Sequence, residues 1–68
     1  MYIIEIIENI DNEEYTHYVG DKRNTYNKAE ARIFDSIEDA EEILDMEKSD
    51  PKYDKPMFAG CRFEIVEI

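Results

Sequence analysis

A second cysteine is missing from this chain, so Cys61 has no intrachain disulfide partner. With His17 as the one histidine, no Cys/His cluster has metal-ligand spacing. Gly20 and Gly60 are the only glycines, which excludes a glycine-rich phosphate loop. A nucleophile–base pair would have to combine Cys61 with His17, and nothing in their spacing brings them together. Cys61 reads as a small buried hydrophobe in a strand, and His17 as a half-exposed strand residue. The expectation is a protein that is not an enzyme and carries no cofactor or metal. A lone cysteine fits a reducing cytoplasm. The apolar stretch Met1–Glu8 is short, is interrupted by acids and lacks a positive flank. Neither a secretion signal nor a transmembrane segment is therefore expected.

Positive charge is also scarce. Eighteen acids stand against eight bases, a formal net charge of −10. Such a field repels DNA, RNA and anionic lipid and attracts basic surfaces. Direct nucleic-acid or membrane binding is therefore not expected. Five Tyr, three Phe and many Ile, set in periodic segments, argue against disorder. Sixty-eight residues make a single domain, 1–68. A chain of this size buries only about 60% of its unfolded surface. Without a disulfide or metal staple, either the core is well packed or a second copy of the chain helps, so a homodimer is possible.

Segment 2–10 alternates with period two. Tyr2, Ile4, Ile6 and Ile10 share one face, a row that Glu8 interrupts, while Ile3, Glu5, Ile7 and Asn9 share the other. Its β-branched residues predict a strand. Residues 11–14 form a polar turn, and Tyr15–Val19 make the second strand of a hairpin. Gly20–Asn24 is a loop with the only local positive cluster, Lys22 and Arg23. Residues 25–29 are ambiguous, and Ala31–Phe34 has the character of a third short strand. Asp35-Ser36 opens a helix, with the Ser36 hydroxyl placed to accept the N–H of Asp39. Asp39, three residues on, makes a weak capping box. Ile37, Ala40, Ile43 and Leu44 recur at helical spacing and are expected to face the sheet. The helix is expected to end near Lys48, before Asp50-Pro51. Ser49–Gly60 is a long loop with two prolines, and Cys61–Ile68 is a final alternating strand, able to pair beside the first either way round. The fold class is α+β: an antiparallel sheet of about four strands with one helix on one face, in the order β-β-β-α-β.

The helix carries the sharpest functional signal. At about 100° per residue, Glu38, Glu41, Glu42 and Asp45 fall opposite the apolar arc. Carboxylates three and four apart have Cβ atoms about 5–6 Å from one another. Successive phosphates of one nucleic-acid strand are on the order of 6–7 Å apart along the backbone. The row can therefore present itself as a rigid stand-in for a polynucleotide. From residue 30 to residue 50 there are nine acids and two bases. That density exceeds solubility needs, for which a net charge of about 2–8 suffices in a small domain. Like charges at i,i+4 cost a few tenths of a kcal/mol each. A solvated outer face and the helix dipole explain part of the pattern. A second acidic patch, Glu8, Asp11, Glu13 and Glu14, surrounds the hairpin turn, and Glu13 and Glu14 could extend the row. The tyrosines Tyr2, Tyr15, Tyr18, Tyr26 and Tyr53 divide between core positions and possible interface anchors.

The stretch Ala31-Arg32-Ile33-Phe34-Asp35-Ser36-Ile37-Glu38-Asp39-Ala40-Glu41-Glu42-Ile43 resembles a pattern of short phage and prophage proteins, in which a strand ends in Phe and Asp-Ser caps a helix rich in Glu and Ala. The composition, rich in Ile, Asn, Lys and Tyr, resembles that of low-GC bacteria and their phages. The resemblance implies a small α+β phage protein. Several phage proteins this acidic are inhibitors of host defence, among them anti-CRISPR and anti-restriction proteins that mimic DNA. The leading expectation is accordingly a non-enzymatic inhibitor in the host cytoplasm. It would fill the basic nucleic-acid-binding groove of a host defence protein, with Glu38, Glu41, Glu42 and Asp45 in place of phosphates. Two alternatives stand beside it. One is a self-associating structural or regulatory module that pairs through edge strands or sheet faces. The other is a binder of a small anion, such as a nucleotide, through Lys22 and Arg23 with Lys28.

Overall fold

A computed structural model describes residues 1–54 and 60–68. It contains β1 (Tyr2–Ile10), β2 (Glu13–Tyr18), α1 (Ile37–Lys48) and β3 (Arg62–Glu67), with short 3-10 turns at Lys28–Glu30 and Pro51–Asp54. The sheet has three strands in the order β2-β1-β3, and both pairings are antiparallel. The domain is thus α+β with one helix, but the expected fourth strand is absent among the described residues. Part of the long loop expected at 49–60, residues 55–59, lies outside the described residues.

The hairpin turns on Asp11 and Asn12 alone, both with positive φ (53° and 68°). Asx residues tolerate this left-handed backbone, and a two-residue turn of that kind matches the twist of the flanking strands. Because the turn is so tight, β2 begins at Glu13 rather than at Tyr15. β1 becomes the central strand, with β3 on its other edge, where Ile4 pairs with Ile65 and Ile6 with Phe63.

Residues 31–34 do not form a strand. Ala31 bridges to Gly20 and Phe34 bridges to Tyr2. Phe34 donates to the Tyr2 carbonyl at 2.8 Å and accepts from the Tyr2 N–H at 2.9 Å. The two ends of the segment thus bond to different partners, and no continuous ladder can run between them. The reason lies on the β1 edge. β2 stops at Tyr18, opposite Glu5, and Phe34 takes the vacant place beside Tyr2. Ala31 and Phe34 are buried while Arg32 and Ile33 are exposed, a spacing of three rather than two. Gly20 is needed by its own loop, because a Cβ there would sit 2.3 Å from the Arg23 carbonyl oxygen.

The helix start follows the sequence. The Ser36 Oγ accepts the Asp39 N–H at 3.2 Å, and Ser36 is extended. At the other end the Ser49 hydroxyl donates to the Asp45 carbonyl at 2.9 Å, ahead of Asp50-Pro51. Ala40 and Leu44 are buried, with Ile43 half-buried beside them. Ile37 departs from expectation, being 42% exposed. It lies on the apolar arc but at the first helical position, at the very end of α1. The helix covers the even-numbered face of β1. Ile4, Ile6, Val19, Phe34, Ala40 and Leu44 form the core cluster, joined at its edge by Tyr2, Ile43, Tyr53, Cys61, Phe63 and Ile65. Ile3 and Ile7 point to the other face and are also buried, Ile7 between Thr16 of β2 and Arg62 of β3 and Ile3 beside Val66 of β3.

Candidate functional site

Two groups of side chains stand out, one on the surface and one inside. The surface group is the helix row. Glu38, Glu41, Glu42 and Asp45 are all exposed on the side of α1 away from the core, with Asp39 beside them. Among the described residues, none of these five carboxylates has an ion-pair partner or a side-chain hydrogen bond to its oxygens. The capped helix therefore holds a bare row of anions.

The hairpin acids do not extend it. Glu14 projects from the open face of the sheet, opposite the helix. There it meets Arg62, reaching across β1, at 3.0 Å. Glu13 projects to the helix side but at the hairpin end, where its carboxylate accepts the Tyr15 hydroxyl at 2.7 Å. Glu8 is buried, so the second patch is divided among two faces and the interior. Lys22 and Arg23 lie in an exposed loop, with Lys28 in the following 3-10 turn.

The interior group was not foreseen as a site. Glu8 interrupts the core-facing row of β1, and His17 lies on the same face of β2, opposite Ile6. His17 is 7% exposed, not half-exposed as its strand position suggests. Burial pushes its imidazole below the ordinary histidine value; Glu8 and Glu47 oppose that shift and Lys52 adds to it. The imidazole is therefore neutral near pH 7. Its Nδ1 lies 3.7 Å from a Glu8 oxygen, too far for a hydrogen bond, and has no partner among the described residues.

A second polar hub lies alongside. Glu47, one turn beyond Ile43 and Leu44, points in toward the sheet side of the helix. Its Oε1 accepts the Tyr53 hydroxyl at 2.6 Å and the Asn24 amide at 2.9 Å, and Lys52 approaches it at 3.4 Å. Burial alone would raise the Glu47 carboxyl, but these hydrogen bonds and the Lys52 charge hold it below its ordinary value. Burial, then the bond to Glu47, push the Tyr53 hydroxyl far above the ordinary tyrosine value. The ring of Tyr53 meets Phe63 edge-on at 5.1 Å between centroids. Cys61 is half-buried just ahead of β3, and burial together with Glu8 and Glu47 pushes its thiol up. That is the wrong direction for a thiolate nucleophile.

Between the two hubs lies a cavity of about 220 Å³, lined by Glu8, His17, Asn24, Tyr26, Lys52 and Tyr53. No group of three or more His, Cys, Asp and Glu among the described residues could hold a metal ion. No helix of the described residues is long and apolar enough to cross a membrane.

The two depressed pKa values make the fold acid-sensitive. In the unfolded chain His17 takes its proton near pH 6.5 and Glu47 near pH 4.5, while the folded chain resists both. The unfolded state then binds more protons, so stability falls as pH falls. The His17 contribution is present above pH 6.5 and is lost below it, and the Glu47 contribution is lost below pH 4.5. Urea midpoints are expected to decline from pH 7 downward. In His17→Gln the decline that begins near pH 6.5 is expected to vanish. An unchanged decline in that variant would assign the acid sensitivity to other groups.

Compared with protein-family models, with curated proteins and with solved structures, the chain finds no match.

Proposed function

We propose that this protein is a non-enzymatic acidic inhibitor that occupies the basic nucleic-acid-binding groove of a host defence protein. The observation that carries the reading is the row on α1: Glu38, Glu41, Glu42 and Asp45, exposed and without countercharges among the described residues. Some acids elsewhere are paired, as Glu14 with Arg62 and Glu47 with Lys52; others, such as Glu5, Asp21 and Glu64, are also unpaired among the described residues but are not gathered in one helical row. An unpaired row on a rigid helix is suited to Arg and Lys of a partner, which would supply charge-assisted hydrogen bonds. The net charge of −10 would speed the encounter. Glu13 and Glu14, one bonded within the hairpin and the other paired across the sheet, contribute little to this surface.

Self-association has one observation in its favour, since β2 and β3 are both sheet edges. A pull-down from bacterial lysate with a salt titration, run beside a mass measurement in solution, separates the readings. The mimic is expected to capture a nucleic-acid-binding protein, to compete with its DNA or RNA, and to release it steeply as salt rises. Capture that is indifferent to salt, or a concentration-dependent dimer with no competition, would end the proposal.

A further inference from the structure

The cavity between β1, β2 and the Glu47 hub has an unbalanced chemistry. Asn24 spends its amide N–H donors on Glu47 and the Tyr53 hydroxyl, at 2.9 and 3.4 Å. That leaves its carbonyl Oδ1 as the available atom. The Lys52 ammonium is engaged by Glu47 and Asp50, at 3.4 and 3.8 Å, and lies 5.0 Å from the Tyr53 ring centre. The Glu8 carboxylate has no Lys or Arg within 4 Å among the described residues, only the neutral His17 ring at 3.7 Å, although Lys52 lines the same cavity. The Glu8 and His17 side chains are only 11% and 9% exposed. With its proton on Nε2, His17 turns a lone pair on Nδ1 toward that carboxylate, so acceptor faces acceptor. The two buried polar atoms that face one another here, a Glu8 oxygen and His17 Nδ1, are then both acceptors, and the Glu8 charge is unpaired among the described residues. Buried groups of this kind are costly unless a donor meets them. No donor atom fits on the 3.7 Å line between Glu8 and Nδ1, but one nitrogen set to the side of that line, about 2.9 Å from each, reaches both. On the outer side Tyr26, 73% exposed, has its ring centre 5.4 Å from that of His17. An aromatic face placed there can cover a cation from solvent.

The geometry points to a binding site for an organic cation with N–H donors, a guanidinium or primary ammonium at the end of an alkyl chain. Glu8 supplies the countercharge, His17 Nδ1 and Asn24 Oδ1 accept its N–H groups, and Tyr26 lies over it. The site does not rest on the helix row. Lys52 already shows a resident ammonium held between carboxylates and a tyrosine ring, one step along the same cavity.

The single histidine makes the test direct, because the imidazole 15N resonances of the chain belong to His17 alone. Butylguanidinium and butylammonium chloride are titrated at constant ionic strength, with tetramethylammonium chloride, which has no N–H, as control. The free protein is expected to show the Nε2–H tautomer. Either N–H cation is expected to shift the His17 resonances saturably, and tetramethylammonium is expected to leave them in place. Glu8→Gln should weaken binding at least tenfold. Tyr26→Leu changes an exposed residue and so leaves folding intact; it should weaken binding about two- to fivefold. Lys52→Met removes a like charge and should tighten binding. Glu38→Gln with Glu42→Gln and Asp45→Asn should leave it within about twofold, which separates this site from the helix surface. A capped Gly-Arg-Gly peptide binding as well as butylguanidinium would assign the cation to a polypeptide partner; a weaker peptide would assign it to a free amine. Absence of a saturable shift, an equal shift with tetramethylammonium, or full binding by the Tyr26→Leu protein would overturn the proposal. So would a free protein locked as Nδ1–H against Glu8.

Discussion

Replacing Glu38 and Glu42 by Gln and Asp45 by Asn is expected to abolish partner capture while the domain remains folded. Each carboxylate lost removes a charge-assisted contact, worth about 1.5–3 kcal/mol. Three together correspond to an affinity loss on the order of a thousandfold or more. The cost to the fold is small, because two effects oppose one another. The triple change relieves the like-charge pairs Glu38/Glu42 and Glu41/Asp45, each worth a few tenths of a kcal/mol. It also removes a first-turn acid, Glu38, whose interaction with the helix dipole is worth about 0.3–1 kcal/mol. The Ser36 cap remains in place. Thermal unfolding should therefore shift by only a few degrees in either direction. A folded triple variant that still captures the partner would show that the acids serve solubility alone. Lys substituted for Glu14 provides a contrast, because that site faces away from the helix and is paired with Arg62. It should break a surface ion pair, at a cost of about 0–1 kcal/mol, and leave capture nearly unchanged.

The parts of this fold that sequence reasoning reached are those with local causes. β1 follows from its β-branched residues and a period-two row broken only at Glu8, and the helix start from one serine hydroxyl and the N–H three residues on. The helix stop follows from a proline. The parts it missed depend on partners distant in the chain. Ala31–Phe34 has strand-like residues, but Gly20 and Tyr2 take its two ends separately. Local propensity holds no information about that division. The interior site was half visible. Glu8 broke an apolar row, and continuing the helical spacing of Ile43 and Leu44 by three or four residues reaches Glu47. Neither observation had meaning alone. The site exists because β1, β2, the last turn of α1 and the segments around Asn24 and Tyr53 meet at one end of the sheet. His17 became buried for the same reason, since its strand position fixed its face but not what would cover it. The acidic row was the reverse case. A solvent-facing helix arc needs no tertiary partner, so its exposure could be read directly from spacing.

Ile6→Ala is expected to be the most damaging single substitution for stability. Ile6 is 0% exposed on the central strand, between His17 of β2 and Phe63 of β3. It belongs to the cluster that Val19, Phe34, Ala40 and Leu44 close from the helix side. Truncating such a residue costs about 2–5 kcal/mol, part from lost transfer free energy and part from the cavity left behind. A domain of this length has about 3–10 kcal/mol in total, at about 0.05–0.15 kcal/mol per residue. The substitution therefore removes a large share of the stability, from about a fifth to all of it, and the urea midpoint should fall accordingly at an unchanged slope. Ile37→Ala is the matched comparison, with the same atoms removed from a residue 42% exposed at the helix start. It should change stability by no more than about 0.5 kcal/mol, because no cavity forms. The ratio of the two tests the packing itself. With no disulfide available to Cys61, a sheet this small has to hold its helix by contact between one row of β1 and one arc of α1. If Ile6→Ala were as mild as Ile37→Ala, that row would not be the core, and the acidic face opposite it would lose its rigid support.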